Sequence, residues 1–293
     1  MEPDIITAGL DGSPESLAAA QWAADEADRR GAVLRLLHAW ILLAPETPGT
    51  PPDRDRNAHA RQIVLGAGEA VRERHPRLQL VEELVASEAE PALLRAAEDS
   101  RMVVLGSRAL GTWESFLLGD VSLDVVSRAE GPVVLVRDGR RAAAPEAGAA
   151  GPPPRIVVGM SLNAPCDRLL DFAFDAAACR RLPLQAVHGS PLPVNAYAPW
   201  GADPDAAAEV TEEATGALHE ALRPWCARFP DVEVELTVLP ESPTRALVQS
   251  VPGAVLLAVG RRRHRPFLAP RVGPVAHAAI HHATCPVAVV AHD

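Results

Sequence analysis

The chain has 293 residues, 48% of them hydrophobic and 4% aromatic, with a formal charge of −10 at pH 7. That length suits about two globular domains, and the acidic balance argues against nucleic acid as a partner. No apolar run reaches the ~18 residues of a membrane span, and the opening MEPDIITAGLDGSPES lacks the basic-then-apolar pattern of a secretory signal. A cytoplasmic location with no membrane partner is therefore expected.

Lysine is absent, and all 28 basic residues are arginine. This removes the GxxxxGK[ST] phosphate loop, Schiff-base lysines and lysine general bases. The sequence also has no GxSxG elbow and no HExxH helix. No dedicated catalysis is expected. Cys166, Cys179, Cys226 and Cys285 form no CxxC pair, and they read as buried, reduced thiols.

In chain order, Asp4 to Leu10 reads as an apolar strand that ends in Asp11-Gly12-Ser13-Pro14. Ser13 suits a helix N-cap and Pro14 the first helical turn. The helix runs from about Glu15 to Arg30, with Leu17, Ala20, Ala24 and Ala27 on its apolar face, and stops at Gly31. Val33 to Trp40 follows as a strand, and the Pro-rich, charged stretch from Pro45 to Arg56 as a loop. Next come a helix over Ala58 to His75, a strand over Leu78 to Val85 and a helix over Pro91 to Asp99.

The stretch from Met102 to Arg137 organises the rest. Two apolar runs, Met102 to Leu105 and Pro132 to Val136, flank a loop with Gly106, Gly111 and Gly119 and an amphipathic segment from Asp120 to Arg128. Short apolar runs beside helical segments suit a parallel sheet buried on both faces, and the half reads as a doubly wound α/β unit. Ligands bind at the carboxyl edge of such a sheet, where the free N–H groups of a helix start favour an anion. Asp11 lies at that edge. Its carboxylate can accept hydrogen bonds from ribose hydroxyls or an exocyclic amine, or it can simply shape the turn.

Ala142 to Pro154, AAAPEAGAAGPPP, has no periodicity and reads as a linker. It divides the chain into domains over residues 1–141 and 155–293. The pattern then restarts. Gly159 and His188 repeat Gly9 and His38 at an offset of 150, and His188 is expected to end a strand as His38 does. Gly260, Gly273 and Pro286 repeat Gly106, Gly119 and Pro132 at an offset of 154. The difference places four extra residues in the long loop from Gly189 to Pro204. An internal duplication explains these offsets.

The segments GLDGSP, LLHAW, LGSRALGTWESFLLGDVS, GPVVLVR and HHATCPVAVV make the chain similar to the universal stress protein family in its tandem two-domain form. The family's nucleotide motif, G-x2-G-x9-G-[ST], falls on Gly106, Ala109, Gly119 and Asp120. The spacing is kept, but alanine replaces the second glycine and aspartate the hydroxyl residue. In the second half the frame is Gly260, Arg263, Gly273 and Pro274, and Ser161 stands where Asp11 stands.

The resemblance implies two tandem five-stranded parallel sheets of order 3-2-1-4-5, with helices on both faces. It also implies ATP, with Mg2+, bound across the ends of strands 1 and 4 of the first domain. The residues implied to hold it are Asp11, Gly12, Ser13, Gly106, Ser107, Arg108, Ala109, Gly119, Asp120, Val121 and Ser122. Protein partners are implied without their identity, as is pairing through strand 5, which within one chain imitates a dimer and leaves a homodimer open. The alternative is a scaffold of the stress response that works without nucleotide. At a helix start the Asp120 carboxylate is itself the favoured anion and competes with a phosphate.

The second domain is expected to be degenerate and mainly structural. Its cluster of Arg261, Arg262, Arg263, Arg265 and Arg271 reads as a solvated or ion-paired loop, with anion binding as the lesser alternative. The spacing of His277, His281 and Cys285 reads as a helix end and not as a metal site.

Overall fold

The computed structural model describes residues 4–41, 57–107, 120–137, 152–192, 197–198, 201–202, 204–263 and 271–293. The chain divides into two compact units, Met1–Ala143 and Ala144–Asp293.

The first unit alternates strand and helix: β1 (Ile5–Leu10), α1 (Pro14–Arg30), β2 (Val33–Trp40), α2 (Ala58–Arg74), β3 (Leu80–Ala86), α3 (Ala89–Asp99), β4 (Met102–Ser107), α4 (Asp120–Arg128) and β5 (Val133–Arg137). Its sheet has the order β3-β2-β1-β4-β5, and all four pairings are parallel. The second unit repeats this as β6 (Arg155–Gly159), α5 (Asp167–Arg180), β7 (Leu184–Gly189), the two-residue strands β8 (Tyr197–Ala198) and β9 (Gly201–Ala202), α6 (Pro204–Arg228), β10 (Val234–Leu239), α7 (Pro243–Ser250), β11 (Ala254–Arg262), α8 (Pro274–His282) and β12 (Val287–His292). Its sheet order is β10-β7-β6-β11-β12, again parallel throughout. Each unit thus has the order 3-2-1-4-5. β8 and β9 pair antiparallel with each other only.

Local chemistry fixes the elements. Ser13 is extended (φ −76°, ψ 156°) and its Oγ accepts from Ser16 N at 3.2 Å, which satisfies one of the unpaired N–H groups that open α1. Gly31 closes the helix at φ 63°, and Ala32 N donates to Ala27 O at 2.9 Å. Ala19, Ala20, Ala23, Ala24 and Ala27 form the buried face of α1 and let it lie close to the sheet. Leu17, expected on that face, is 40% exposed, because at ~100° per residue it falls at the margin of the buried stripe.

Glu26 is buried at 1% and receives Arg29 Nη1 and Arg30 Nε at 2.6 Å each. On the sheet, Arg35 of β2 donates to Thr7 Oγ1 of β1 at 2.8 Å. It also reaches Asp99 Oδ1 at 2.7 Å and Ser100 Oγ at 2.9 Å at the end of α3. A half-buried guanidinium is tolerated there because each of its nitrogens has an acceptor.

Other boundaries differ modestly from the sequence reading. α3 starts at Ala89, two residues before Pro91, since proline is tolerated in a first turn. His38 is followed by Ala39 and Trp40 within β2, so it does not end its strand, whereas His188 is one residue from the end of β7. Cys166 and Cys285 are buried, but Cys179 and Cys226 are only half-buried. The stretch Pro45 to Arg56 and nearly all of the linker lie outside the described residues.

The duplication is visible in the turns. Arg181 sits 150 residues after Gly31 and occupies the same left-handed position, φ 53°, at the end of α5. Leu182 N donates to Ala177 O at 3.1 Å, as Ala32 does to Ala27. A side chain in this region costs about 1–2 kcal/mol, part of which glycine returns as extra freedom of the unfolded chain. Arg181→Gly is expected to stabilise the protein by about 0.5–1 kcal/mol, read as a higher denaturant midpoint.

The hydrogen bond from the Arg35 guanidinium, opposed by desolvation and helped by its charge, holds the Asp99 carboxyl below its ordinary 3.8. Its contribution is present above the ordinary carboxylate value and is lost as pH falls through the lowered one. Asp99→Asn should therefore be less stable than the native protein at pH 7, and the two midpoints should converge on acidification below pH 3.8.

Candidate functional site

In the first unit β1 and β4 lie side by side, with Gly9 opposite Leu105. Two residues further on, Asp11 and Ser107 reach the carboxyl edge. Asp11 is exposed, and its Oδ1 accepts from Ser13 N at 2.9 Å and from Ser13 Oγ at 2.5 Å. The carboxylate therefore does shape the turn, and it does so at the carboxyl edge of the sheet. Gly12 takes φ 82°, which a side chain rarely adopts.

Gly106 is fixed by close approach. A Cβ there would lie 2.6 Å from the carbonyl carbon of Glu15 and 2.7 Å from Ser16 N, so the end of β4 presses on the first turn of α1. Ser107 is not in the loop as expected. It is the last residue of β4, buried at 3% and paired in register with Arg137 of β5.

The structure thus brings Asp11, Gly12, Ser13, Gly106 and Ser107 together around the start of α1. Asp120 begins α4, followed by Val121, 39% exposed, and Ser122, half-buried. Arg108, Ala109 and Gly119 lie outside the described residues, as does the side chain of Asp120.

The second unit rebuilds the same edge with different chemistry. Ser161 Oγ accepts from Asn163 N at 3.4 Å, as Asp11 does from Ser13, so the turn survives without its carboxylate. Behind it lies a cavity of about 640 Å³ at the carboxyl ends of β6, β7 and β11 and the starts of α7 and α8. Its wall includes Ser161, His188, Arg262, Gly273, Pro274 and His292. The wall also carries two sulfurs, with Cys166 Sγ 3.9 Å from Met160 Sδ. Burial, followed by the negative charge of Asp167, pushes the Cys166 thiol up to about 11, so it stays protonated and unreactive at neutral pH.

Of the arginine cluster, Arg261 and Arg262 belong to β11 and not to a loop, and Arg261 is buried at 6%. Arg263 Nη1 lies 3.7 Å from Asp293 Oδ1. Arg265 lies outside the described residues. β11 extends this far because its last two residues pair with Ala291 and His292 of β12.

The sequence reading missed one pair of contacts. His38 Nδ1 meets Leu10 O at 2.7 Å, and His188 Nδ1 meets Met160 O at 3.0 Å. Each imidazole holds the carbonyl at the end of the central strand. The recurrence of these two histidines at the 150-residue offset was the available signal. Among the described residues, no group of three or more His, Cys, Asp or Glu is placed to hold a metal. His277 and His281 lie with ring centroids 4.2 Å apart, and Cys285 falls in the turn before β12. Among the described residues, no helix is long and apolar enough to cross a membrane.

Comparison with known proteins agrees with this architecture. The sequence model of the universal stress protein family matches residues 3–137 and again 153–291. Universal stress protein Rv2005c of Mycobacterium tuberculosis is 33% identical, the match covering 97% of this chain and 96% of that one. Universal stress protein Rv2623 of the same organism is 30% identical over 97% of this chain and 95% of its own length. Among solved structures, a universal stress protein from Archaeoglobus fulgidus shares the fold with a TM-score of 0.62 at 17% identity, covering all of both chains. The chain is a tandem member of the universal stress protein family.

Proposed function

We propose that the first unit binds an adenine nucleotide, ATP with Mg2+, and that the protein acts as a regulatory member of its family and not as a catalyst. The observation that carries this reading is the meeting of Asp11 and Gly106 at the start of α1. It places an exposed carboxylate and a closely approaching backbone at the edge where parallel α/β sheets take ligands.

In this reading Asp11 accepts from the ribose hydroxyls or the exocyclic amine. Gly12 and Ser13 keep the turn in shape beneath it. The backbone from Gly106 through Ser107, Arg108 and Ala109, and again from Gly119 through Asp120 and Val121, offers N–H groups to the phosphates. Arg108 adds positive charge and Ser122 a hydroxyl. Mg2+ supplies neutralisation of the phosphates. Asp120 opposes binding, since a carboxylate at a helix start takes the place an anion would fill. The reading divides the chain into a nucleotide-binding domain over 1–141, a linker over 142–154 and a second domain over 155–293.

Nucleotide at a hundred times its dissociation constant stabilises the bound form by about 2.7 kcal/mol, enough to bias one arrangement of loops for a partner to read. Thermal unfolding of the full chain with millimolar MgATP is expected to show a rise in Tm. Asp11→Ala should weaken binding by about tenfold, the loss of one charged hydrogen bond of ~1.5 kcal/mol. Asp120→Ser should strengthen it. No binding by the native chain, combined with binding by Ala109→Gly/Asp120→Ser, would establish the nucleotide-free scaffold instead.

A further inference from the structure

We draw no further inference here: the strongest candidate, the cavity at the carboxyl ends of β6, β7 and β11 in the second unit, carries nothing, because its charged wall residue Arg262 already has a partner in the molecule and only the N-terminus of α8 is then left to meet a ligand.

Discussion

Both units depend on a central strand whose two neighbours are reached by connections leaving in opposite directions. β1 lies between β2 and β4, and β6 between β7 and β11. Right-handed crossovers from a parallel strand leave helices on both faces of the sheet. Where the direction reverses, sheets of this kind take ligands at the carboxyl edge. In the first unit Gly106 lies at that edge, and its missing Cβ lets β4 touch the first turn of α1. In the second, Gly260 has the corresponding place, but a Cβ there would meet His292 Nε2 at 2.5 Å. The same absence of a side chain therefore serves a helix in one unit and an imidazole in the other.

The fold was legible because its signals are local. Apolar runs such as Met102–Leu105 and Ile156–Val158 are buried on both faces and need no alternation. Ser13-Pro14 and Gly31 punctuate α1 where propensity puts them. What the sequence concealed is which face of each helix meets the sheet. Glu26 is buried at 1%, with Arg29 and Arg30 folded onto it. Leu17 reads as core and is exposed, because it stands at the margin of the alanine stripe that meets the sheet.

The candidate sites divide in the same way. Asp11 was legible from its place after a strand, and Gly106 from the glycine spacing. The second cavity was not legible, since its wall gathers residues from Gly159 to His292 across several elements. The arginine cluster misled for a related reason. β12 offers backbone partners as far as His292, so strand structure continues through Arg262 where composition alone reads a loop. Duplication preserved the turns, as Asp11 and Ser161 show, while the groups at the carboxyl edge diverged.

The absence of lysine reaches beyond the motifs it excludes. The cation in ion pairs such as Arg35–Asp99, Arg72–Glu82 and Arg228–Asp171 is a guanidinium, which keeps its proton well into strong alkali. Those attractions do not fade near pH 10, where an ammonium would. One buried thiol does respond to alkali. Cys166 supports the fold below its ordinary 9.0 and ceases to do so as pH climbs through about 11.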